Sequence, residues 1–432
     1  MHAAPALTAP APEAGTAVHT LPNGVRIVTI VQPWLDSVSI SVFVRAGSQH
    51  ESRRLNGISH VVEHMAFKGT ASRDCQRINL DAERLGAEVN AHTDKDHTAF
   101  HMNGLAQHAG ALLRMLGDIV RNSSFPQSEL ERERQVILQE YIEDEDDPMS
   151  TAYKLFDHAC YGTHPVAQAV IGTRANIERF TRDELLGHVQ RLYSGANVIV
   201  GVAGRIAPAA IVDEAQAAFG SMPAGSENSL APPAWIGGSK TRRHAGSSQS
   251  HLVLGFPIPP LTGDYHASLL ATALFGEGMS SPLMDSLRER RGLVYHASCS
   301  ADVMAQHGQF VLEASTSPGQ LDELFTELAV LLRQQAAAID PVGLERARNQ
   351  IAVRSLRSQQ QPFRCVEDAA QDLFVHGRVC SRAELLARIQ AVTADEVQQA
   401  FGRMLAAPPA LAIVGKLAKG ADERFLAQLA EH

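Results

Sequence analysis

Five consecutive residues, His60-Val61-Val62-Glu63-His64, put two imidazoles and a carboxylate within little more than one helical turn. On a helix, residues four apart share a face, so His60 and His64 can offer ring nitrogens to one small cation. Zinc takes imidazole and carboxylate ligands in a tetrahedral array, and a catalytic site keeps one position open. A water held there loses its proton near neutral pH. Glu63, three residues from His60 and next to His64, is placed to take that proton as general base. The order of the motif is the reverse of the H-E-x-x-H zinc motif. Two imidazoles leave a third protein ligand to be found.

The segment from Leu130 to Glu143 supplies candidates. It is dense in carboxylates and arginines at three- and four-residue spacings, which supports a helix. Glu133 and Glu140 lie seven apart, nearly two turns, and so share a face. One can bind the metal while the other supports it from behind; the spacing does not say which.

These groups need elements to hold them. Asn23-Gly24 reads as a turn between short strands. Val25–Val31 and the alternating Ser37–Ala46 read as strands. The zinc motif sits on a predicted helix, Ile58–Phe67, after the start region Asn56-Gly57. Another helix is expected over Cys75–Leu85. Paired strands are expected at Ala87–Ala91 and Thr98–Asn103, around the polar turn Thr93-Asp94-Lys95-Asp96. Thr181-Arg182-Asp183-Glu184 fits a capping box. Residues 221–248 are rich in Gly, Pro, Ser and Ala and hold the basic cluster Lys240–His244, read as a solvated loop. The second half repeats the style of the first, with helices expected at Pro282–Arg290 and Pro341–Gln359 among others. Strands and helices mix without regular β-α-β alternation. The expected class is α+β: two similar domains, each a mostly antiparallel sheet packed with helices. The expected division is a disordered tail over 1–17, an N-terminal zinc domain over 18–220, a linker over 221–248 and a C-terminal domain over 249–432.

The chain of 432 residues carries a formal net charge of -9, which argues against nucleic acid as main partner. Five scattered cysteines without a CxxC pair indicate neither a disulfide framework nor a thiolate zinc site. There is no basic start followed by an apolar run, and no apolar stretch of about 18 residues. The expectation is a cytoplasmic protein with no membrane partner. His92, His97 and His101 are read as polar histidines of strand and turn, ahead of a second metal site.

Taken together, the chain resembles the pitrilysin, insulin-degrading-enzyme and mitochondrial-processing-peptidase family, over about His19 to Leu429. The residues that carry the resemblance are His60-Val61-Val62-Glu63-His64 and, after 75 intervening residues, Glu140. The segment Glu131–Glu140 around that glutamate is also similar. So are Asn23-Gly24, Ala46-Gly47-Ser48, Phe67-Lys68-Gly69-Thr70 and Asn90-Ala91-His92-Thr93. Further on, Gly278–Leu283 and Leu287–Tyr295 match the family's C-terminal segment. The resemblance implies a zinc endopeptidase with one Zn2+ per chain, held by His60, His64 and Glu140. It puts Glu63 in the role of base and Glu133 at the family's additional acidic position. It implies that Arg288 and Tyr295, seven apart, reach an active site from a different domain. An Arg fork can bind a substrate carbonyl or carboxylate, and a Tyr hydroxyl can donate to a developing oxyanion. Asn90-Ala91 would lie on an edge strand to which a peptide substrate adds.

A chamber in that family needs four repeat-like domains, and this chain supplies two. The resemblance therefore implies a dimer: a homodimer, since both residue sets are present, with a heterodimer as the alternative. The competing functions are a non-catalytic peptide-binding or assembly subunit and a precursor-specific processing peptidase.

Overall fold

The computed structural model describes residues 15–244 and 246–430. Most of the expected tail, 1–14, lies outside them; Gly15–Ala17 already belong to a strand.

Eleven strands among the described residues form two sheets, and the fold is α+β as expected. The first sheet runs β1 (Gly15–Thr20), β2 (Arg26–Val31), β6 (Val198–Gly204), β3 (Ser37–Val44), β5 (Thr98–Leu105), β4 (Glu88–Thr93). The second runs β7 (Gly238–Arg243), β11 (Ala410–Gly415), β8 (Ser250–Ile258), β10 (Gly308–Thr316), β9 (Val294–Val303). Each contains one parallel pair, β2 with β6 and β7 with β11, and is otherwise antiparallel. If β2 to β6 are matched in chain order with β7 to β11, the two strand orders coincide; β1 is an addition to the first. The two halves thus share one topology.

The basic cluster Lys240–Arg243 departs from the expected loop. It lies in β7, an edge strand parallel to β11. Charged residues are common on edge strands because they discourage further pairing, so the sequence of such a strand resembles a solvated loop.

Internal packing groups the chain into two compact units. Among the described residues, one comprises 15–137, 170–229 and 358–379; the other comprises 138–169, 230–244, 246–357 and 380–430. The expected boundaries run in chain order, whereas these units do not. In the first unit, helix Pro362–His376 lays Val366, Ala369, Ala370 and Leu373 on Val28, Phe43, Ala99, Ile199 and Ala203 of the sheet. In the second, helix Pro148–Tyr161 lays Ala152, Phe156 and Ala159 on Val253, Val311, Ala412 and Val414. Each sheet is therefore covered by a helix from the opposite half of the sequence. With both faces covered, β3 and β6 are buried along nearly their whole length.

The zinc-motif helix, Ile58–Ala66, forms because Ile58, Val61, Val62 and Met65 recur at helical spacing and are all buried. His60, Glu63 and His64 occupy the remaining half-buried stripe. Gly57 begins the helix at φ 97°, left-handed backbone that favours glycine, and a Cβ there would meet Ile171 O at 2.8 Å. The expected helix Pro282–Arg290 is one α-turn, Pro282–Met284, followed by a π-helix, Asp285–Arg290.

Buried neutral histidines make the first unit sensitive to acid. His188 is 1% exposed, and its Nε2 lies 3.2 Å from Ser59 Oγ on the motif helix. Burial, then Arg191 and His50, pushes its pKa down to about 3 from 6.5. As pH falls from about 6.5 toward 3, the unfolded chain takes a proton that the folded chain refuses, so stability falls across that window. In urea titrations between pH 7 and pH 5, His188→Asn should show a shallower loss of stability with falling pH than the parent.

Candidate metal centre

The motif helix brings His60 Nε2 and His64 Nε2 to 3.2 Å, with the rings 4.6 Å apart and nearly edge-on at 71°. Ligands about 2.0–2.1 Å from a tetrahedral zinc ion must lie roughly 3.3–3.4 Å from each other. The two imidazoles are therefore spaced as neighbouring ligands would be. Burial, then the charge of His64, lowers the His60 pKa to about 4, so near neutral pH this ring offers a lone pair and carries no charge.

Helix Gln127–Asp146 supplies the carboxylates. It is anchored by buried Leu130 and Ile137 and by buried Arg134, whose guanidinium donates to Ile177 O and to Phe180 O, the latter at 2.8 Å. Glu140 places a carboxylate oxygen among the His60 and His64 donors, all within 4.8 Å of one another.

The second carboxylate lies behind the first ring. Glu133 Oε1 is 2.9 Å from His64 Nδ1, and its Oε2 accepts from Lys68 Nζ at 2.7 Å. Burial alone would raise the Glu133 carboxyl, but His64 and Lys68 outweigh it and hold it below its ordinary value. An ionised carboxylate at Nδ1 accepts a hydrogen bond from that nitrogen, keeps the proton there and leaves Nε2 as the metal-facing lone pair. The donor set therefore fits zinc: two imidazoles, one carboxylate and an orienting carboxylate.

Glu63 faces β4. Its Oε2 accepts from Thr93 Oγ1 at 2.7 Å, which fixes one carboxylate oxygen. β4 is the edge of its sheet, as expected for Asn90-Ala91. The Asn90 side-chain oxygen accepts from Ala91 N at 2.8 Å, occupying a backbone donor that an added strand would use. Arg288 and Tyr295 come together in the second unit, with the guanidinium 5.1 Å from the ring centre. Tyr295 is 81% exposed at the start of edge strand β9, so its hydroxyl is open to a ligand.

Sequence reasoning missed Lys68, Thr93 and Glu51. Glu51 is buried, and its carboxylate accepts from Gly57 N and Ser59 N, both at 2.7 Å, where the motif helix begins. Burial raises its carboxyl to about 7 in spite of those bonds. Lys68 was legible as a cation four residues past His64; Thr93 and Glu51 needed the fold.

Residues 26–174 match the family described as Insulinase (Peptidase family M16), and 179–351 match the Peptidase M16 inactive domain. The chain is similar to an uncharacterized zinc protease of Rickettsia bellii, 31% identical over 401 residues, which span 92% of this chain and 97% of that one. It is similar also to the zinc protease YmxG of Bacillus subtilis, 29% identical over the same shares of each chain, 92% and 97%. Its fold is similar to a peptidase M16 inactive domain from Pseudomonas fluorescens, with TM-score 0.84 and 21% identity over 93% of this chain and 98% of that one. A protease from Helicobacter pylori gives TM-score 0.83 and 18% identity over 93% and 100%.

Removing the orienting carboxylate while keeping its shape should weaken the centre without unfolding it. Glu133→Gln should lower zinc affinity by about 10- to 100-fold, read by competition with a zinc indicator, with an unchanged far-UV circular dichroism spectrum.

Proposed function

Because the chain belongs to the insulinase (M16) family of peptidases, we propose that it is a zinc-dependent endopeptidase that hydrolyses extended or unfolded peptides inside an enclosed chamber. The observation that supports this most is that His60 and His64, on the helix that also carries Glu63, offer donors that lie with a Glu140 oxygen within 4.8 Å of one another. In this reading His60, His64 and Glu140 hold one zinc ion per chain, and Glu133 orients His64.

When bound, zinc makes water acidic and polarises the scissile carbonyl. The residues of the chain do the rest. A substrate peptide adds to β4 at Asn90-Ala91, displacing the Asn90 side chain from Ala91 N. Thr93 holds Glu63 in place. Glu63 takes the proton of the attacking water and delivers it to the leaving amine. Tyr295 donates to the developing oxyanion, and Arg288 binds the substrate backbone.

Residues 18–220 carry the metal ligands and the base, and 249–432 carry Arg288 and Tyr295. The second half has the same strand order but not the motif. Its first helix after β8, His266–Gly276, is almost wholly buried and reads HASLLATALFG, with no carboxylate. One chain therefore offers one catalytic motif and one Arg–Tyr pair. In the proposed homodimer, each centre is completed by the pair of the other copy.

Two experiments test this. A chelator should abolish hydrolysis of an unstructured peptide, and Glu63→Gln should lower kcat by about 10^2- to 10^4-fold while the protein keeps its zinc. Undiminished turnover in Glu63→Gln would remove the base from its role and leave a non-catalytic subunit as the better reading. Mixing inactive Glu63→Gln with inactive Tyr295→Phe should restore about a quarter of parental activity if the pair acts across a two-fold dimer. No recovery after verified subunit exchange would place the pair and the metal on one chain.

A further inference from the structure

A second cluster of metal-type donors lies in the first unit, at the tip of the β4–β5 hairpin. His92 Nε2 and His97 Nε2 stand 3.4 Å apart, with the rings 5.4 Å apart and edge-on at 84°. His97 Nδ1 lies 2.8 Å from Asp96 Oδ1. Asp94 Oδ2 lies 3.9 Å from His92 Nε2 and 3.8 Å from His97 Nε2. From helix Pro362–His376, Glu367 Oε1 lies 3.9 Å from His92 Nε2, while its Oε2 pairs with Arg364 at 2.6 Å. The donor atoms of His92, Asp94 and His97 fall within 4.8 Å of one another.

This construction repeats that of the first centre. In both, two imidazoles meet edge-on through Nε2, at 3.2 Å in one and 3.4 Å in the other, and both distances match the roughly 3.3–3.4 Å edge of a tetrahedral zinc site. In both, a carboxylate within 2.9 Å of one Nδ1 accepts a hydrogen bond from it, holding the proton there and leaving the Nε2 lone pair toward the meeting point. Two lone pairs at that distance repel unless a cation or a proton sits between them. The Asp94 oxygen stands only about 0.5 Å beyond a tetrahedral edge, and its exposed side chain has room to close that gap by rotation.

We propose that His92, Asp94, His97 and Glu367 form a second site for a divalent transition metal, zinc foremost, with a structural role. The site is distinct from the His60–His64 centre. Successive residues of a strand point to opposite faces. Thr93 reaches Glu63 on one face of β4, and His92 reaches Phe363 and Glu367 on the other. An ion there ties the hairpin tip to helix Pro362–His376. The same tip is already held by Ser48 N and Gln49 N, which donate to Asp94 O and Lys95 O at 3.2 Å and 2.9 Å. The metal would thus fix the edge strand from the side away from the catalytic motif. The inference does not depend on the chain being a peptidase.

The test is zinc stoichiometry on the metal-stripped full chain, by equilibrium dialysis against Zn2+ and elemental analysis, with folding followed by circular dichroism. The parent should take two equivalents. His60→Ala/His64→Ala and His92→Ala/His97→Ala should each take one, and the four-fold variant none. Asp94→Asn, at an exposed position, should keep both equivalents with one weakened at least ten-fold. In the His60→Ala/His64→Ala background, Zn2+ at about 100 times its dissociation constant should raise Tm by about 5 °C. A parent that takes one equivalent, lost in His60→Ala/His64→Ala, overturns the proposal, as does an unchanged Tm in that background. A parent whose single zinc survives His60→Ala/His64→Ala and disappears in His92→Ala/His97→Ala upholds this site and removes the other.

Discussion

The contact of His64 Nδ1 with Glu133 Oε1, at 2.9 Å, joins the two helices that carry the candidate ligands. Its effect depends on charge. An imidazole can present Nε2 to a cation only if the ring is neutral and its proton lies on Nδ1. Glu133 meets the second condition, accepting the Nδ1 hydrogen bond while it stays ionised in a buried place, and Lys68 at 2.7 Å keeps it so. The chain Lys68–Glu133–His64 therefore fixes a tautomer. His60 is kept neutral by burial, which disfavours its charged form. One ring is set by a partner and the other by desolvation, and both Nε2 atoms face one point.

The duplicated topology explains how a single centre can arise from two like halves. A helix following the second strand of the common pattern is either polar along one stripe, as in Ile58–Ala66, or apolar all round, as in His266–Gly276. The first presents His60, Glu63 and His64 while burying Ile58, Val61, Val62 and Met65. The second buries nine of its eleven residues and has only packing to offer. Losing the motif costs such a half nothing in stability, because apolar residues in its place bury more surface.

The motif itself was legible because its chemistry is local in the sequence: four residues hold the two imidazoles on one face whatever the rest of the chain does. Spacing also put Glu133 and Glu140 on one face but could not rank them. The structure separates them, with Glu133 against Nδ1 of His64 and Glu140 offering an oxygen within 4.8 Å of the imidazole donors. What stayed hidden depends on distant packing. Helix Pro362–His376 lies more than 150 residues from β6 in sequence yet covers the first sheet, and nothing in its amphipathic pattern says which sheet it faces. The strand in 238–243 reads as a basic loop because an edge strand with exposed side chains has no apolar alternation to betray it. Asn90 and Thr93 look like ordinary strand polar residues until the pairing of β4 with β5 makes β4 an edge.

The histidines at 92 and 97 show the same limit in a sharper form. Five residues apart across a turn, they share no helical face, and in sequence they are two polar groups among 19 histidines. Only the antiparallel pairing of Thr93 with Thr98 closes the turn and turns the rings toward each other. A hairpin thereby achieves what one turn of helix does in the motif: it fixes two imidazoles about one tetrahedral edge apart, each time with a carboxylate at the back of one ring. A helix guarantees that geometry by its own period, so the residue spacing betrays it. A hairpin guarantees it only once register is set, and register is a property of the whole sheet.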